Sequence, residues 1–152
     1  MPLRRPLGIH RISKDGISLF YSVVGRGTEW LSQRKNGELL DLLGPLGNGF
    51  NIYPASRKLL LVAGGVGIAP LLALAEYAKS EGLKFRLVIG EKNADKIYPE
   101  RLLPPGIKPV IITEDGSLGQ KGMVTDILPD FISEADQVFV CGPLPMYRTI
   151  SK

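Results

Sequence analysis

The chain has 152 residues, which is enough for one complete domain with a smaller second one and too short for two full-sized domains. Hydrophobic residues make up 44% and charged residues 22%, a globular composition that excludes a disordered tail and a fibrous protein. The net charge of +4 is uneven, since residues 1–58 hold nine basic and four acidic residues (+5) and residues 59–152 hold ten and eleven (−1). The basic residues are too loosely clustered to predict a nucleic-acid partner.

The chain has one cysteine, Cys141, and one histidine, His10. A single thiol excludes an internal disulfide and any iron–sulfur site built from several thiolates of this chain, and a single imidazole excludes a multi-histidine metal site. We therefore name no metal ligand and no catalytic side chain. The longest apolar stretch, residues 59–75, is interrupted by glycines and a proline, so we expect no membrane span and a soluble, cytoplasmic protein.

The first part of the chain has the pattern of β structure. Residues 9–12 and 17–24 are strand-like runs, and Asp15-Gly16 between them supplies the positive φ angles that a tight hairpin requires. Thr28 predicts the N-cap of a short helix. The remaining predicted segments are a strand at 38–43, an irregular loop at 44–50 and a linker at 54–58.

From residue 58 onward strands and helices alternate, which predicts an α/β fold with an open parallel sheet. Residues 59–63 form a continuous apolar run, as expected of a strand buried on both faces. Residues 68–80 carry one broad apolar face at helical spacing. We place the domain boundary between residues 56 and 57. The other predicted elements are strands at 85–89, 110–113 and 138–141, and helices at 98–103, from 125, and at 143–150.

Three glycine-containing loops follow strands of this predicted sheet. The turn at 64–67 joins a strand to a helix, so its amides and the positive helix end can face an anion or a cofactor. The loops at 113–119 and 141–146 also follow strands, and the carboxyl ends of parallel strands meet at one edge. A ligand-free tight turn remains an alternative for the first loop, and Cys141 is either a buried apolar residue or a reactive thiol.

These motifs together resemble a known family. The second part resembles the pyridine-nucleotide domain of the ferredoxin reductase superfamily in three motifs, at residues 64–70 (GGVGIAP), 115–119 (DGSLG) and 141–143 (CGP). The first part is similar to the flavin-binding portion of dihydroorotate dehydrogenase B electron-transfer subunits, at residues 4–9 (RRPLGI), 25–28 (GRGT) and 43–50 (LGPLGNGF). The resemblance implies a partial antiparallel β-barrel flavin domain over residues 1–56 and a nucleotide-binding α/β domain over residues 57–152.

The function that the resemblance implies is electron transfer in pyrimidine biosynthesis. NADH would reduce FAD, and electrons would pass through a two-iron two-sulfur cluster to a partner, the dihydroorotate dehydrogenase catalytic subunit or another redox protein. Carboxylates after the third strand would disfavour the 2′-phosphate of NADPH. The implied cofactor-binding residues are Arg5, Pro6, Leu7, Gly8, Gly27 and Thr28 for FAD, and Gly64, Gly65, Gly67, Pro70, Glu114, Asp115, Cys141, Gly142 and Pro143 for NAD.

The chain departs from the family pattern in three places. Gly8 stands where the family has a hydroxyl residue that reaches the flavin, so we expect FAD binding to be weakened. The family has several barrel strands before Arg5 and a four-cysteine cluster region after the nucleotide domain, so we expect a trimmed relative or the middle of a longer subunit, with possible self-association. Two alternatives stay open: a noncatalytic nucleotide- or partner-binding module without flavin, and a ferredoxin:NADP reductase-type subunit.

Overall fold

The first part of the chain forms a small hairpin and one short helix. The computed structural model describes residues 4–151. Strands β1 (Ile9–Ser13) and β2 (Gly16–Leu19) pair antiparallel, and helix α1 (Arg26–Ser32) follows. Residues 33–57 contain no helix or strand. The antiparallel structure of the first part is therefore a two-stranded sheet.

The second part forms a five-stranded sheet in which every neighbouring pair is parallel. The strand order is β6-β5-β4-β3-β7. Because each crossover returns the chain to the same end of the sheet, the carboxyl ends of all five strands lie on one edge. The strands are β3 (Lys58–Gly64), β4 (Lys84–Glu91), β5 (Val110–Thr113), β6 (Gln120–Lys121) and β7 (Gln137–Cys141).

Three helices cover the two faces of the sheet. They are α2 (Ile68–Ser80), α3 (Leu128–Ile132) and α4 (Leu144–Ile150), and short 3-10 turns occupy Gly65–Gly67, Ala94–Lys96 and Glu100–Leu102. Alternate residues of β3 point to opposite faces, which divides the core in two. Leu59 and Leu61 join the cluster under α2, and Leu60 and Val62 join the cluster under α3 and α4. Leu61 and Val62 are fully buried, as the unbroken apolar run predicts.

Strand β1 attaches the hairpin to the second part. Buried His10 lies 2.9 Å from the Tyr98 hydroxyl through its Nε2, and that hydroxyl donates a 3.1 Å bond to the carbonyl of Leu102. Because the single hydroxyl proton is used there, Nε2–H of His10 is the donor to Tyr98. Arg11 forms a 2.7 Å ion pair with Glu76 of α2. The hairpin therefore packs on α2 and on the segment after β4.

A carboxylate fixes the chain where the first part meets the sheet. Asp136 Oδ2 accepts hydrogen bonds from the amides of Arg57 (2.7 Å) and Lys58 (2.8 Å), just before β7 and β3 begin their pairing. These two backbone donors hold the pKa of Asp136 below its ordinary value. The domain boundary proposed between residues 56 and 57 lies beside this contact and stays a prediction.

Several predicted elements are confirmed, and others are wrong. The hairpin, the long helix at 68–80 and the open parallel sheet are confirmed. The predicted strand at 17–24 ends at Leu19, and no strand forms at 38–43 among the described residues, because its leucines are exposed and no strand pairs with them. The helix predicted at 98–103 is a 3-10 turn at Glu100–Leu102, the helix expected from 125 begins at Leu128, and β6 was not predicted.

Two local predictions about turn chemistry are also wrong. Gly16 alone supplies the unusual φ of the hairpin turn, at +150°, and Asp15 does not have a positive φ. Helix α1 begins at Arg26 rather than after Thr28, with Gly25 as its N-cap. Across the described part of the chain, no helix is both long and apolar enough to span a membrane.

Candidate functional site

The turn between β3 and α2 is the centre of the candidate site. Gly65 has a φ of +57°, a left-handed conformation that glycine adopts at little cost. A Cβ at Gly65 would meet only Glu91 Oε1, at 3.7 Å, so the space before this residue is largely open. Helix α2 starts directly after the turn, so its first amides and its positive end face this edge of the sheet. The turn can therefore receive an anionic group.

The predicted loop after β7, which begins with Cys141-Gly142-Pro143, contacts this turn directly. A Cβ at Gly67 would lie 2.0 Å from the carbonyl oxygen of Cys141, and such an approach is possible only for glycine. Pro70, which the family match also assigns to NAD, is half-buried in the first turn of α2. Cys141 is half-buried at the end of β7. The structure thus brings the two loops together, as the sequence predicted.

Two further glycines, Gly64 and Gly142, pack against Met146 of α4. A Cβ at Gly64 would lie 2.8 Å from its sulfur, and a Cβ at Gly142 would lie 2.3 Å from its Cε. Met146 itself is buried. Packing against Met146 therefore favours glycine at positions 64 and 142 without any ligand, whereas Gly65 is the glycine with space beside the open edge.

Tyr147 of α4 is a site residue that the sequence reasoning missed. Its hydroxyl accepts a bond from the amide of Gly142 and donates one to the carbonyl of Val140, both at 3.3 Å. Burial raises the pKa of the Tyr147 phenol, and the neighbouring Cys141 side chain adds to this rise. The phenol therefore stays protonated at neutral pH, and its hydrogen bonds to Gly142 and Val140 hold the loop after β7 in position. A tyrosine one helical turn after a loop gives no sequence motif for such a role.

The predicted loop at 113–119 follows β5 and lies farther along the edge. Asp115 accepts hydrogen bonds from the Ser117 amide (2.9 Å) and hydroxyl (2.6 Å), and these bonds lower the pKa of the carboxyl group. Asp115 is therefore ionised at neutral pH, and Glu114 beside it is exposed. Since β4 lies between β5 and β3, this loop contacts the end of β4 through the amide of Glu114, which donates a 3.0 Å bond to the carbonyl of Glu91.

The end of β4 carries two polar residues that were not predicted. The Glu91 side chain is half-buried between the turn at Gly65 and the loop after β5. Burial raises the pKa of its carboxyl group, and the Lys92 amide and Lys96 partly oppose this rise. The side-chain oxygen of Asn93 is buried without a hydrogen-bond partner among residues 4–151. The signal available in the sequence was a polar run, Glu91-Lys92-Asn93, directly after an apolar strand.

The residues that the resemblance assigns to FAD lie beside the same helix end. A Cβ at Gly8 would lie 3.5 Å from the Pro70 ring. Arg5 lies against the start of α1, since a Cβ at Gly27 would lie 3.2 Å from its Nε. Pro6 is exposed and Leu7 is half-buried between them. The segment 5–8 is thus close to both helix starts.

Thr28 does not act as the sequence predicted. Its hydroxyl accepts bonds from the amides of Val24 (3.0 Å) and Gly25 (3.2 Å) and donates to the carbonyl of Gly25 (3.0 Å). The side chain is buried and closes the first turn of α1. The sequence proposed two kinds of phosphate donor at the start of α1, the backbone amides and the Thr28 hydroxyl. Because the hydroxyl is already bonded within the helix cap, the backbone amides are the donors left for a phosphate.

An open parallel sheet with a glycine turn leading into a helix at its carboxyl edge defines the class of dinucleotide-binding α/β domains. The family model described as "Oxidoreductase NAD-binding domain" matches residues 61–152, more than half of the chain, and the chain belongs to this family. The NAD-binding assignment that the motifs at 64–70 and 141–143 suggested is therefore correct at the level of the family.

Curated relatives extend the similarity over the first part of the chain. The chain is 40% identical over 150 residues to the dihydroorotate dehydrogenase B (NAD(+)) electron transfer subunit of Caldanaerobacter subterraneus subsp. tengcongensis, covering 99% of this chain and 59% of the relative. It is 38% identical to the same subunit of Geobacillus sp. (strain WCH70), covering 99% and 60%. The resemblance seen in the motifs is confirmed. The chain spans about three fifths of the length of these relatives.

Solved structures share the fold. An NADH-dependent reduced ferredoxin-NADP oxidoreductase matches with a TM-score of 0.83 and 32% identity, over 97% of this chain and 55% of that chain. The ferredoxin reductase of carbazole 1,9a-dioxygenase matches with a TM-score of 0.75 and 20% identity, over 95% of this chain and 49% of that chain, which shows the fold alone. The predicted ferredoxin-reductase-like fold is confirmed.

Proposed function

We propose that the chain binds NADH and FAD side by side and serves as an electron-transfer subunit that passes reducing equivalents from NADH to a partner. The observation that carries this proposal is the contact between Gly8 and Pro70. It puts the segment assigned to FAD against the first turn of the helix that follows the nucleotide turn. Two cofactors bound at these segments would be neighbours, as hydride transfer requires.

The nucleotide half of the site fits a dinucleotide. Gly65 leaves open space at the helix start, so the diphosphate can approach the amides of the turn. The loop at Cys141–Pro143 has little side-chain bulk, which would let the nicotinamide ring lie flat near the flavin. Asp115 is ionised and would repel a 2′-phosphate, while a ribose diol could donate to it. NADH is therefore the favoured nucleotide, and tighter binding of NADPH would contradict this assignment.

The flavin half of the site fits FAD less completely. FAD, when bound, supplies the redox chemistry that accepts hydride from NADH and releases single electrons. Arg5 beside Gly27 can oppose the charge of the flavin diphosphate. Gly8 has no hydroxyl and the Thr28 hydroxyl is used inside the helix cap. Each missing hydrogen bond makes the free energy of FAD binding less favourable by about 0.5–1.5 kcal/mol. We therefore expect FAD to bind weakly or substoichiometrically.

The residues do not fit an iron–sulfur cluster. A two-iron two-sulfur cluster takes four thiolate ligands, and the chain has the single cysteine Cys141. Within residues 4–151, no group of three His, Cys, Asp or Glu side chains is placed to hold a metal ion. We therefore propose no electron-transfer step through a cluster held by this chain, and we expect no stoichiometric iron in the purified protein.

We propose the dihydroorotate dehydrogenase catalytic subunit, or another redox protein, as the partner of this chain in the cytoplasm. The names of the relatives support this choice. Apolar side chains between residues 39 and 50 offer surface for such a partner or for self-association, since they are exposed in the single chain. They are Leu39, Leu40, Leu42, Leu43, Leu46 and Phe50.

A second candidate function is a ferredoxin:NADP reductase-type subunit, which the oxidoreductase structure with 32% identity favours. The two functions share the nucleotide and flavin sites and differ in the electron acceptor. A third candidate, a noncatalytic nucleotide-binding module, is favoured by Gly8 and by the internally bonded Thr28 hydroxyl. Flavin binding separates the third candidate from the other two.

The test is to add FAD to the purified protein, record the visible spectrum and then add NADH without oxygen. We expect loss of the flavin absorbance with NADH and little loss with NADPH. Arg5→Ala should weaken FAD binding and leave NADH binding nearly unchanged, whereas Arg34→Ala, at the other end of α1, should change neither. A protein that binds NADH but never reduces flavin would be the noncatalytic module. Equal losses of both ligands in Arg5→Ala would show that Arg5 supports the fold.

A further inference from the structure

The carboxyl group of Glu91 faces the proposed nucleotide turn. Its Oε1 lies 3.7 Å from the position of a Cβ at Gly65, the residue with open space at the edge of the sheet. The side chain is half-buried. Throughout residues 4–151, no lysine or arginine nitrogen lies within the 4.0 Å that defines an ion pair with this carboxylate. An anion placed at the turn would therefore lie close to a carboxylate that lacks an ion-paired cation.

The surroundings of Glu91 make its carboxyl group easier to protonate than that of an exposed glutamate. Burial is the main reason that the pKa of its carboxyl group is raised, and Glu114 on the loop after β5 raises it further. The Lys92 amide lowers the pKa most among the opposing groups, followed by Lys96 and the Lys92 ammonium. The neighbouring strand residues, Gly64 on β3 and Thr113 on β5, carry no charge. Two cations and one acid are thus the charged groups that act on Glu91.

We propose that Glu91 couples dinucleotide binding to proton uptake, so that its carboxyl group becomes protonated when the diphosphate of the ligand binds at the turn of residues 64–67. This proposal rests on the proposed function. The diphosphate carries two negative charges, which disfavour an ionised carboxylate nearby, and the ligand also removes water from it. A protonated carboxyl group can donate a hydrogen bond to a phosphate oxygen, which the carboxylate cannot do. The proton comes from solvent.

Proton uptake makes affinity depend on pH in one direction. Where Glu91 is ionised in the free protein and neutral in the complex, the dissociation constant rises by up to about tenfold per pH unit. Binding therefore weakens as the pH rises above the pKa of Glu91 in the free protein. If instead the carboxylate accepted a bond from a ribose hydroxyl, binding would favour the ionised form and would strengthen with rising pH.

The experiment is calorimetric titration of the full chain with NAD⁺ between about pH 5 and pH 8, in buffers of different ionisation enthalpy. The dependence of the binding heat on the buffer gives the number of protons taken up. We expect uptake approaching one proton for the wild type and none for Glu91→Gln, whose amide can still donate to a phosphate oxygen. Glu81→Gln is the matched control, because Glu81 is exposed at the opposite end of α2 from the turn, and it should keep the uptake.

The outcomes separate this inference from the proposed function. NAD⁺ binding without proton uptake, or with proton release, overturns the role of Glu91 and leaves the nucleotide site standing. Uptake that persists in Glu91→Gln also overturns it and would direct attention to another titrating group, such as His10. A wild type that fails to bind NAD⁺ and NADH at every pH overturns the nucleotide site and the role of Glu91 together.

Discussion

The two parts of the chain differ in what they bury. Residues 58–151 contain every buried hydrophobic side chain of the described structure, and all of these except Ala69 belong to two clusters on the two faces of the parallel sheet. Residues 4–57 bury only His10, Thr28 and Ser56, all of which are polar. At the same time they expose Val24 at 85% and Leu39 at 99%. The second part thus has its own core, and the first part has none within the described chain.

This difference indicates how the first part is held in place. Its half-buried side chains Phe20 and Ile52 pack against the cluster under α2, so they use the core of the second part. Phe50 also packs edge-on against Phe139 of this cluster, and Gly8 contacts Pro70. The polar attachments include the His10–Tyr98 hydrogen bond, the Arg11–Glu76 ion pair and the bonds to Asp136. A change in the sheet should therefore affect the whole chain, whereas a change in the first part should affect its attachment only.

The largest expected effect is in the centre of the sheet. Leu61→Ala removes a fully buried side chain and should lower the free energy of unfolding by about 2–5 kcal/mol. Leu39→Ala, the matched change in the first part, should stay within about 0.5 kcal/mol because that side chain is exposed. Denaturant unfolding measures both. Similar losses for the two variants would contradict the contrast between the two parts.

The next effect is at the contact between the two loops. Gly67→Ala would put a Cβ 2.0 Å from the Cys141 carbonyl, so the loops must separate, at a cost of about 1–3 kcal/mol. NADH affinity measured by calorimetry should fall with stability. Gly49→Ala is the control, because a Cβ there meets no atom within 4 Å. If Gly67→Ala kept full stability and affinity, close approach of the loops would not be required.

A smaller effect concerns the attachment of the hairpin and depends on pH. Burial, followed by the charge of Arg11, lowers the pKa of His10 below its ordinary value of 6.5, while Glu76 opposes this shift. The unfolded chain therefore binds this proton more readily than the folded chain does. The contribution of neutral His10 to the stability of the fold is present above about pH 6.5 and is lost as the pH falls through the lower pKa of the folded state. The protection factors of the β1 and β2 amides, which are exchange rates corrected for the intrinsic slowing of exchange in acid, should fall on acidification.

The control for this prediction is His10→Gln, which can keep a donor toward Tyr98 and does not titrate. Its β1 and β2 amides should lack the acid-dependent loss of protection. The same loss of protection in the variant would mean that another group controls the attachment of the hairpin.

The smallest expected effect is the ion pair between β1 and α2. Arg11 and Glu76 are 2.7 Å apart, but their side chains are 41% and 27% exposed, so water screens the pair. A double-mutant cycle with Arg11→Gln and Glu76→Gln should give a coupling energy of about 0.2–1 kcal/mol. The coupling should fall further in high salt. A value of several kcal/mol would mean that polar contacts rather than Phe20 hold the hairpin.

The sequence predicted the second part well because its signals were long and periodic. The apolar run at 59–63 and the helical spacing at 68–80 each reflect burial, which the core confirms. The prediction of a strand at 38–43 was wrong because the segment has the apolar composition of a strand but no neighbouring strand with which to pair. Strand β6 was missed because two residues, Gln120–Lys121, are too few to show a period.

The candidate site was predictable only where glycines mark it. The turn at 64–67 and the loop at 141–143 have motifs, and the structure brings them into contact. Glu91 was missed because one carboxylate at a strand end has no motif, and its neighbours Gly65 and Glu114 are distant from it in the sequence. Thr28 was misassigned because a threonine near a helix start suits an N-cap equally well at several positions, and its hydroxyl bonds show which one it supports.

Strand β1 and the residue just before it make two contacts with α2, and these contacts constrain the number of residues between them. Gly8 meets Pro70, and three residues later Arg11 meets Glu76, six residues further along the helix. Three extended residues advance by about 10 Å and six helical residues by about 9 Å, so the two spans are of similar length, although β1 has an irregularity between Ile9 and Arg11 that shortens its advance. One residue inserted between Gly8 and Arg11 would displace one of these contacts by about 3.3 Å. The two contacts with α2 thus fix the distance between the segment assigned to FAD and the hairpin. They constrain the number of residues between Gly8 and Arg11 even where they do not constrain which residues these are.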